Sequence, residues 1–352
     1  MAVNFGIIGC GQMVLGAHLP NLNTIPEAEV VALCSRSEAS RLRARELCRN
    51  DAVALYQDPL EVIRDPKVEA VLIAVPNYLH ATLATTALEA GKAVFLEKPL
   101  ATNLADARAL VQKVRATGGI LQVGYELSYA RLIRHAKQLV TDGRLGDLTM
   151  LGMTEIRGPM RPGWRQRKDW TGGVMLEKNS HYLHLFNEFA ASEPAQVYGA
   201  GGRAVNRSSE LLDHCLVTIQ YASGVTATLS MCLLDPYHQR YDFEVIGTRG
   251  RMLIDEWREQ IHYWSFTENV HQVMEVCPEP GQIDAKHPGT RAELVAFIAS
   301  VRAGTPPAVD ALKAARTTAL ALAIETAIER GTPQPVPGLD FHNGPQAMEE
   351  QR

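Results

Sequence analysis

Val3-Asn4-Phe5-Gly6-Ile7-Ile8-Gly9-Cys10-Gly11-Gln12-Met13-Val14 reads as a buried strand running into a glycine turn. The stretch after it, through Gly16, His18 and Leu19 to Pro20, is compatible with a helix. Strand, glycine turn and helix in that order open a dinucleotide-binding unit. Gly9 makes the tight turn and Gly11 lets the backbone approach a pyrophosphate. The phosphates then rest on the helix N-terminus, where unpaired N–H groups and the helix dipole favour anions. GxG pairs recur in many ordinary turns, so this one takes its meaning from the strand before it and the helix after it. Val14 stands where a third glycine is expected, which predicts looser helix–strand packing there.

The pattern then repeats. Glu29-Val30-Val31-Ala32-Leu33-Cys34 is a second strand, and Ser35-Arg36-Ser37 follows it. A site that prefers NAD usually carries an acidic residue here for the ribose hydroxyls. Ser35 can instead donate to a 2′-phosphate and Arg36 can pair with it, so NADP is expected ahead of NAD. The alternative is that Arg36 is a solvated charge at a helix start. Residues 41–48 are helical in composition and 52–56 strand-like. Residues 68–75 form a near-continuous apolar run ending in Pro76-Asn77-Tyr78-Leu79-His80, followed by a helix over 81–90. Next, Ala93-Val94-Phe95-Leu96-Glu97-Lys98-Pro99-Leu100 delivers a glutamate and a lysine to a strand end. Ligands bind at that end of an open parallel sheet, and the Lys98–Pro99 bond is a candidate cis peptide that would fix the lysine's direction. A helix over 103–117, stopped by Gly118-Gly119, and a strand over 120–125 complete six strand–helix alternations. Their sum is a doubly wound parallel sheet of the Rossmann type over residues 1–123.

Past Gly124 the grammar changes. A helix over 130–141 is followed by alternating runs at 148–156, 195–200, 215–221, 225–233, 241–246 and 251–255. Successive strands with few helices between them predict a mostly antiparallel open sheet in an α+β domain over 124–335. A last helix near 310–330 is placed to pack back on the first domain. Residues 336–352 read as a poorly ordered tail.

Composition excludes several classes. Of 352 residues, 46% are hydrophobic and 21% charged, as in ordinary globular proteins, and a net charge of −4 argues against a nucleic-acid binder. The six cysteines (Cys10, Cys34, Cys48, Cys215, Cys232, Cys277) show no CxxC pair, so reduced thiols in the cytoplasm are expected rather than disulfides or structural zinc. With strand-like residues from Val3 and no long apolar run, neither a signal peptide nor a membrane span is expected.

From these motifs the chain resembles the Gfo/Idh/MocA oxidoreductases, which act mainly on sugars, inositols and related polyols. The resemblance covers about residues 3–335. It rests on Gly9-Cys10-Gly11 with His18-Leu19-Pro20, on Val75 to His80, and on Glu97-Lys98-Pro99-Leu100. Gly172-Gly173 through His181 and the segment 297–306 also belong to it. It implies a nucleotide site built from Gly9, Gly11, Gln12, Met13, Ser35, Arg36, Pro76, Asn77, His80, Glu97 and Lys98. It also implies that Lys98 is the catalytic lysine and that a carboxylate and a histidine four residues apart complete the set. Here these are Glu177 and His181, which share a helix face at that spacing. His181 is poised to move the hydroxyl proton, Lys98 to stabilise the alkoxide, and Glu177 to orient His181 or bind a substrate hydroxyl.

The sequence departs from the family at two places: Asp is usual at the Glu177 position and frequent at the His184 position. Direct transfer of inositol or glucose specificity therefore does not follow. His184 reads either as a substrate contact or as a core histidine. A zinc set of Glu177, His181 and His184 lacks HExxH spacing, and no metal is expected. The segment 157–170 carries five basic residues against one acid; the resemblance places this loop near the substrate, which implies an anionic or phosphorylated ligand group, with Arg157 and Arg165 as contacts. Trp164 or Trp170 can stack on a sugar face. A solvated loop or a subunit contact explains the segment equally well. Tyr125 and Glu126, at the domain junction, are further candidates for hydroxyl contacts.

The leading expectation is hydride transfer between NAD(P) and a secondary alcohol or ketone of a sugar, cyclitol or similar substrate. Two alternatives stand beside it: a redox-neutral enzyme that recycles bound NAD(P), as an epimerase, eliminase or hydratase does, and a non-catalytic nucleotide-binding regulator. The exposed face of the second sheet predicts a homodimer or homotetramer.

Overall fold

A computed structural model describes residues 2–339 apart from 206, 208, 257, 284 and 285. Six parallel strands, β1 (Val3–Ile8), β2 (Ala28–Cys34), β3 (Ala54–Tyr56), β4 (Ala70–Ile73), β5 (Ala93–Glu97) and β6 (Leu121–Gly124), form the first sheet. Their order is β3-β2-β1-β4-β5-β6, so the direction of winding reverses between β1 and β4. That reversal opens a crevice at the carboxyl ends of the strands. β4 is buried at all four positions, as a central parallel strand covered on both faces must be.

The crossover helices show why the chain turns where it does. Asn103 caps the helix Leu104–Thr117 by accepting from the Asp106 amide, and Gly118 ends it in the left-handed conformation at φ +62°. Two apolar layers flank the sheet. A helix from late in the chain, Thr290–Ala303, inserts Leu294, Phe297 and Ile298 into the layer around Phe5 and Phe95. Phe297 meets the Phe95 ring edge-on at 5.6 Å. Each fully buried side chain of this kind contributes roughly 1.5–3 kcal/mol, enough for three of them to bind this helix to the parallel-sheet body.

The second sheet has nine strands: β7 (Leu148–Ile156), β8 (Pro194–Gly202), β9 (His214–Tyr221), β10 (Thr226–Cys232), β11 (Arg240–Gly247), β12 (Gly250–Asp255), β13 (Gln260–Ser265), β14 (Val270–Glu275) and β15 (Gln334–Pro335). It is antiparallel except where β7 and β10 run parallel. One face is covered by helices Ser180–Ala190 and Ala311–Arg330, over a core that includes Phe186, Phe243 and Ile324. The other face is open and carries Tyr198 and Leu216. β13, β14 and the two-residue β15 add three strands beyond the six runs expected from the sequence, the first two at the far edge. His262, Trp264 and His271 stack on one another there, and those side chains hide the period-two pattern of a half-buried edge.

The helix Ala311–Arg330 links the two bodies. Ala314 and Ala315 pack on the parallel-sheet side, Leu320 and Ile324 on the other. Of the expected tail, residues 340–352 lie outside the described residues. Within 336–339, the Gly338 carbonyl accepts from Arg108 Nη2 at 3.0 Å. Among the described residues no helix is long and apolar enough to cross a membrane.

Candidate active site

The crevice begins at the glycine turn after β1. Gly9 has φ +100°, and a Cβ there would lie 2.2 Å from the Ala74 carbonyl oxygen. Only glycine fits. Gly11 differs: a Cβ there would meet nothing within 4 Å, so its backbone borders open space. The helix that follows makes its first bond from the Leu15 amide to the Gly11 carbonyl at 2.9 Å, leaving the preceding amides for an anion. The turn therefore fits a dinucleotide pyrophosphate. From the second domain, Arg161 Nη1 donates to Gln12 Oε1 at 2.6 Å across the same turn. At the end of β2, Ser35 is half-buried and Arg36 exposed, with no acidic side chain at either position.

Glu97 closes β5 and is held from behind. His18 Nε2 lies 2.5 Å from Glu97 Oε1, and the Lys98 amide donates to Oε2 at 3.2 Å. Burial, the largest single influence, would raise the Glu97 pKa, but the His18 hydrogen bond and the His18, Lys98 and His80 charges together outweigh it and the carboxyl stays below its ordinary value. The Lys98–Pro99 peptide is cis. His80 braces this turn: its ring nitrogens lie 2.7 Å from the Pro99 carbonyl and 3.0 Å from the Val75 carbonyl. Fully buried and spent on those two carbonyls, His80 has no ring atom left for a nucleotide, contrary to the sequence expectation. It ties the loop after β4 to the loop after β5. Asn77, also expected at the nucleotide, is turned inward to Thr171 O at 3.3 Å and Glu177 Oε2 at 3.1 Å. Pro76 precedes it, half-buried, at the crevice edge.

Lys98 points across to the second domain and donates through Nζ to the Glu177 carbonyl at 2.7 Å. The Glu177 side chain does not reach His181. Its Oε2 accepts from Asn77 and its Oε1 from Arg165 Nε at 3.1 Å, so it pins both domains together. The reason is helical phase. Met175–Asn179 is wound as a π-helix before the α-helix Ser180–Ala190 begins, and an i→i+5 turn shifts residues four apart off a common face. His181 stands edge-on to the Tyr125 ring at 5.7 Å. Its Nδ1 is buried without a partner, which leaves Nε2 as the nitrogen that a substrate proton can reach. Burial first, then the Lys98 charge, holds the His181 pKa well below the ordinary value, so the imidazole is neutral at pH 7.

A family model described as "Oxidoreductase family, NAD-binding Rossmann fold" matches residues 3–125, and the "GFO/IDH/MocA C-terminal domain" matches residues 133–253. The chain belongs to the Gfo/Idh/MocA oxidoreductases. It is 27% identical to the myo-inositol 2-dehydrogenase of Thermotoga maritima over 88% of this chain and 91% of that protein. It is 30% identical to the dTDP-3,4-didehydro-2,6-dideoxy-alpha-D-glucose 3-reductase of Streptomyces violaceoruber over 72% of this chain and 73% of that protein. The solved levoglucosan dehydrogenase in complex with NADH is 19% identical, with a TM-score of 0.85 over 96% of this chain and 100% of that one, a likeness of fold.

In this Gfo/Idh/MocA chain several expected contacts lie elsewhere. His184 is 1% exposed, stacked on Tyr125 at 4.4 Å with Nδ1 3.0 Å from Thr317 Oγ1. It is a core histidine and faces no substrate. Glu177, His181 and His184 thus do not converge, and no group of three metal-ligating side chains is found among the described residues. Glu126 is buried and engaged by His287 Nδ1 at 2.9 Å and Thr290 Oγ1 at 3.3 Å. Tyr125 is likewise buried, a wall behind His181 rather than an open hydroxyl contact.

The basic loop is largely neutralised by the protein. Arg157 Nη1 pairs with Glu155 at 3.1 Å, Arg165 with Glu177, Arg167 with Asp169 at 2.7 Å, and Lys168 with Glu329. Trp164 lies under the Arg165 guanidinium at 4.6 Å, and Trp170 against Tyr78 at 4.6 Å. Two polar residues near His181 had no assigned role. Lys178 neighbours Glu177 in the same motif, a signal the sequence offered. His287 comes from a loop 106 positions after His181, and no local pattern announces it.

Proposed function

We propose that this oxidoreductase transfers hydride between a nicotinamide dinucleotide, NADP ahead of NAD, and a secondary alcohol or ketone of a sugar, cyclitol or related polyhydroxylated substrate. The observation that carries this reading is a neutral His181 within electrostatic reach of Lys98 at the carboxyl end of β5. Alcohol oxidation needs a base for the hydroxyl proton, and His181 Nε2 accepts it. Lys98 holds the oxygen in its alkoxide-like state, and its Nζ is aimed by the Glu177 carbonyl. Bound nicotinamide supplies the hydride acceptor. Asn77 and Arg165 fix Glu177, and through it the height of Lys98 in the crevice. The inositol dehydrogenase and sugar reductase named above support a polyhydroxylated substrate. The test is a panel of inositols, hexoses and sugar acids with NADP or NAD. Reduction of the dinucleotide by at least one of them is expected; unchanged absorbance across the panel, with NADP bound, would overturn the reading.

The NADP preference rests on Ser35 and the exposed Arg36 in place of an acid. Arg36→Asp is expected to raise the NADP dissociation constant roughly tenfold to a hundredfold, the loss of a charge-assisted bond of about 1.5–3 kcal/mol. NAD binding should improve. An unaltered NADP-to-NAD ratio in a calorimetric titration removes the preference.

The assembly is expected to be a homodimer or homotetramer joined through the open face of the nine-stranded sheet. Tyr198 and Leu216 are 48% and 67% exposed there, beside a concavity of about 620 Å³. Sedimentation at micromolar concentration should give a multiple of the chain mass; a single-chain species contradicts it. All six cysteines are free thiols, which supports a reducing cytoplasmic setting.

A further inference from the structure

Lys178 has no role in the chemistry above, yet it stands among the groups that perform it. It belongs to the π-helical turn that carries Glu177, and its charge interacts with those of Arg157 and Lys98 and with the carboxylates of Glu177 and Glu155. It is half-buried, and its ammonium makes no hydrogen bond or ion pair among the described residues. An ammonium group taken partly out of water without a directly paired counter-ion is unfavourable, and an incoming anion relieves that cost. We propose that Lys178 and Arg157 form a carboxylate subsite beside Lys98 and His181, so that the preferred substrate is a sugar acid.

Nearby carboxylates do not fill that place. Glu155 is fully buried and accepts from Asn179 Nδ2 at 2.6 Å and from Arg157 Nη1. Glu177 is shared between Asn77 and Arg165. Glu256 accepts from the Tyr182 hydroxyl at 3.3 Å, and burial pushes its pKa up to about 8, so it is mostly uncharged at pH 7. Burial, then Arg157 and Lys98, brings Lys178 itself down to about 8, which keeps it mostly protonated at pH 7 and ready for an anion.

Arg157 commits Nη1 to Glu155 and lies over the Tyr241 ring at 5.7 Å, which fixes the plane of its fork. A planar fork with a point charge beside it suits a carboxylate. A phosphate dianion would bring its second charge against Glu155, only 3.1 Å from Arg157. Elsewhere in the loop 157–170, Arg165, Arg167 and Lys168 are already paired, and Arg161 is turned to Gln12 at the glycine turn.

This subsite rests on the hydride-transfer reading for its place next to the reacting carbon, and two measurements separate them. With NADP saturating, a hexuronic or aldonic acid is compared with the matching neutral sugar and with a sugar phosphate. The acid is expected to show a kcat/KM roughly tenfold to a hundredfold above the neutral sugar, and Lys178→Gln to erase most of that ratio. Lys178→Arg, which keeps the charge, should retain it. In parallel, calorimetry of the NADP-saturated protein should detect binding of the sugar acid that weakens by the same factor in Lys178→Gln. Equal use of acid and neutral sugar, a preference for the phosphate, or an acid affinity indifferent to Lys178→Gln would each overturn the subsite. Acid binding that depends on Lys178 without any dinucleotide reduction would leave the subsite standing and overturn hydride transfer instead.

Discussion

Replacing Lys98 with alanine is expected to lower kcat by about 10²–10³ while NADP still binds. The ammonium sits on the Glu177 carbonyl at 2.7 Å, so its position is set by the second domain and not by the nucleotide turn. On the proposed mechanism, removing it deletes the positive charge that stabilises the alcohol oxygen as it becomes alkoxide-like. An isolated donor of that kind in a water-poor crevice contributes most in the transition state, so kcat falls more than KM rises. Steady-state kinetics read that split, and nucleotide fluorescence reads binding. A Lys98→Ala protein with full turnover on the true substrate would refute the assignment.

His181→Asn should cost about 10²–10⁴ in kcat/KM, the usual range for loss of a general base. The variant also carries a pH signature. Oxidation requires neutral imidazole, and burial with the Lys98 charge has moved the His181 pKa well below its ordinary value of 6.5. Wild-type kcat/KM for oxidation should therefore stay level as pH falls through 6.5 and decline only in more acid solution. Reduction, which draws on the imidazolium, should gain over that same acid range. The asparagine variant should lose the acid limb altogether. An oxidation limb centred above 6.5 would show that His181 is not held neutral by its surroundings, and a turnover within threefold of wild type would remove it from the chemistry.

Both side chains were legible in the sequence, Lys98 from the strand it follows and His181 from the motif it ends. The relation between them was not. A spacing of four residues predicts a shared face only at 3.6 residues per turn, and the π-helix at Met175–Asn179 breaks that assumption. Glu177 consequently serves Asn77 and Arg165 while its backbone carbonyl, invisible to any side-chain pattern, aims the lysine. His80 and His184 carried the same chemical promise as His181. The fold spends one on two loop carbonyls and seats the other against Tyr125 and Thr317. Residue type reports what a group can do, and only its surroundings report what is left for it to do.

The sequence by itself determined the parallel sheet, because a fully buried strand must be apolar at every position and a glycine turn with φ +100° admits no other residue at Gly9. It likewise determined six strands of the second sheet through period-two alternation, and the family through motifs that stand whole in local sequence. The tertiary structure alone decided which charges remain free. Arg165, Arg167 and Lys168 look like an anion site in sequence and find partners in the fold, whereas Lys178 finds none among the described residues. The physical reason is that an ion pair depends on distances of a few ångströms between residues as remote in the chain as Lys168 and Glu329. Such distances follow from how the strands and helices pack, and no local spacing encodes them.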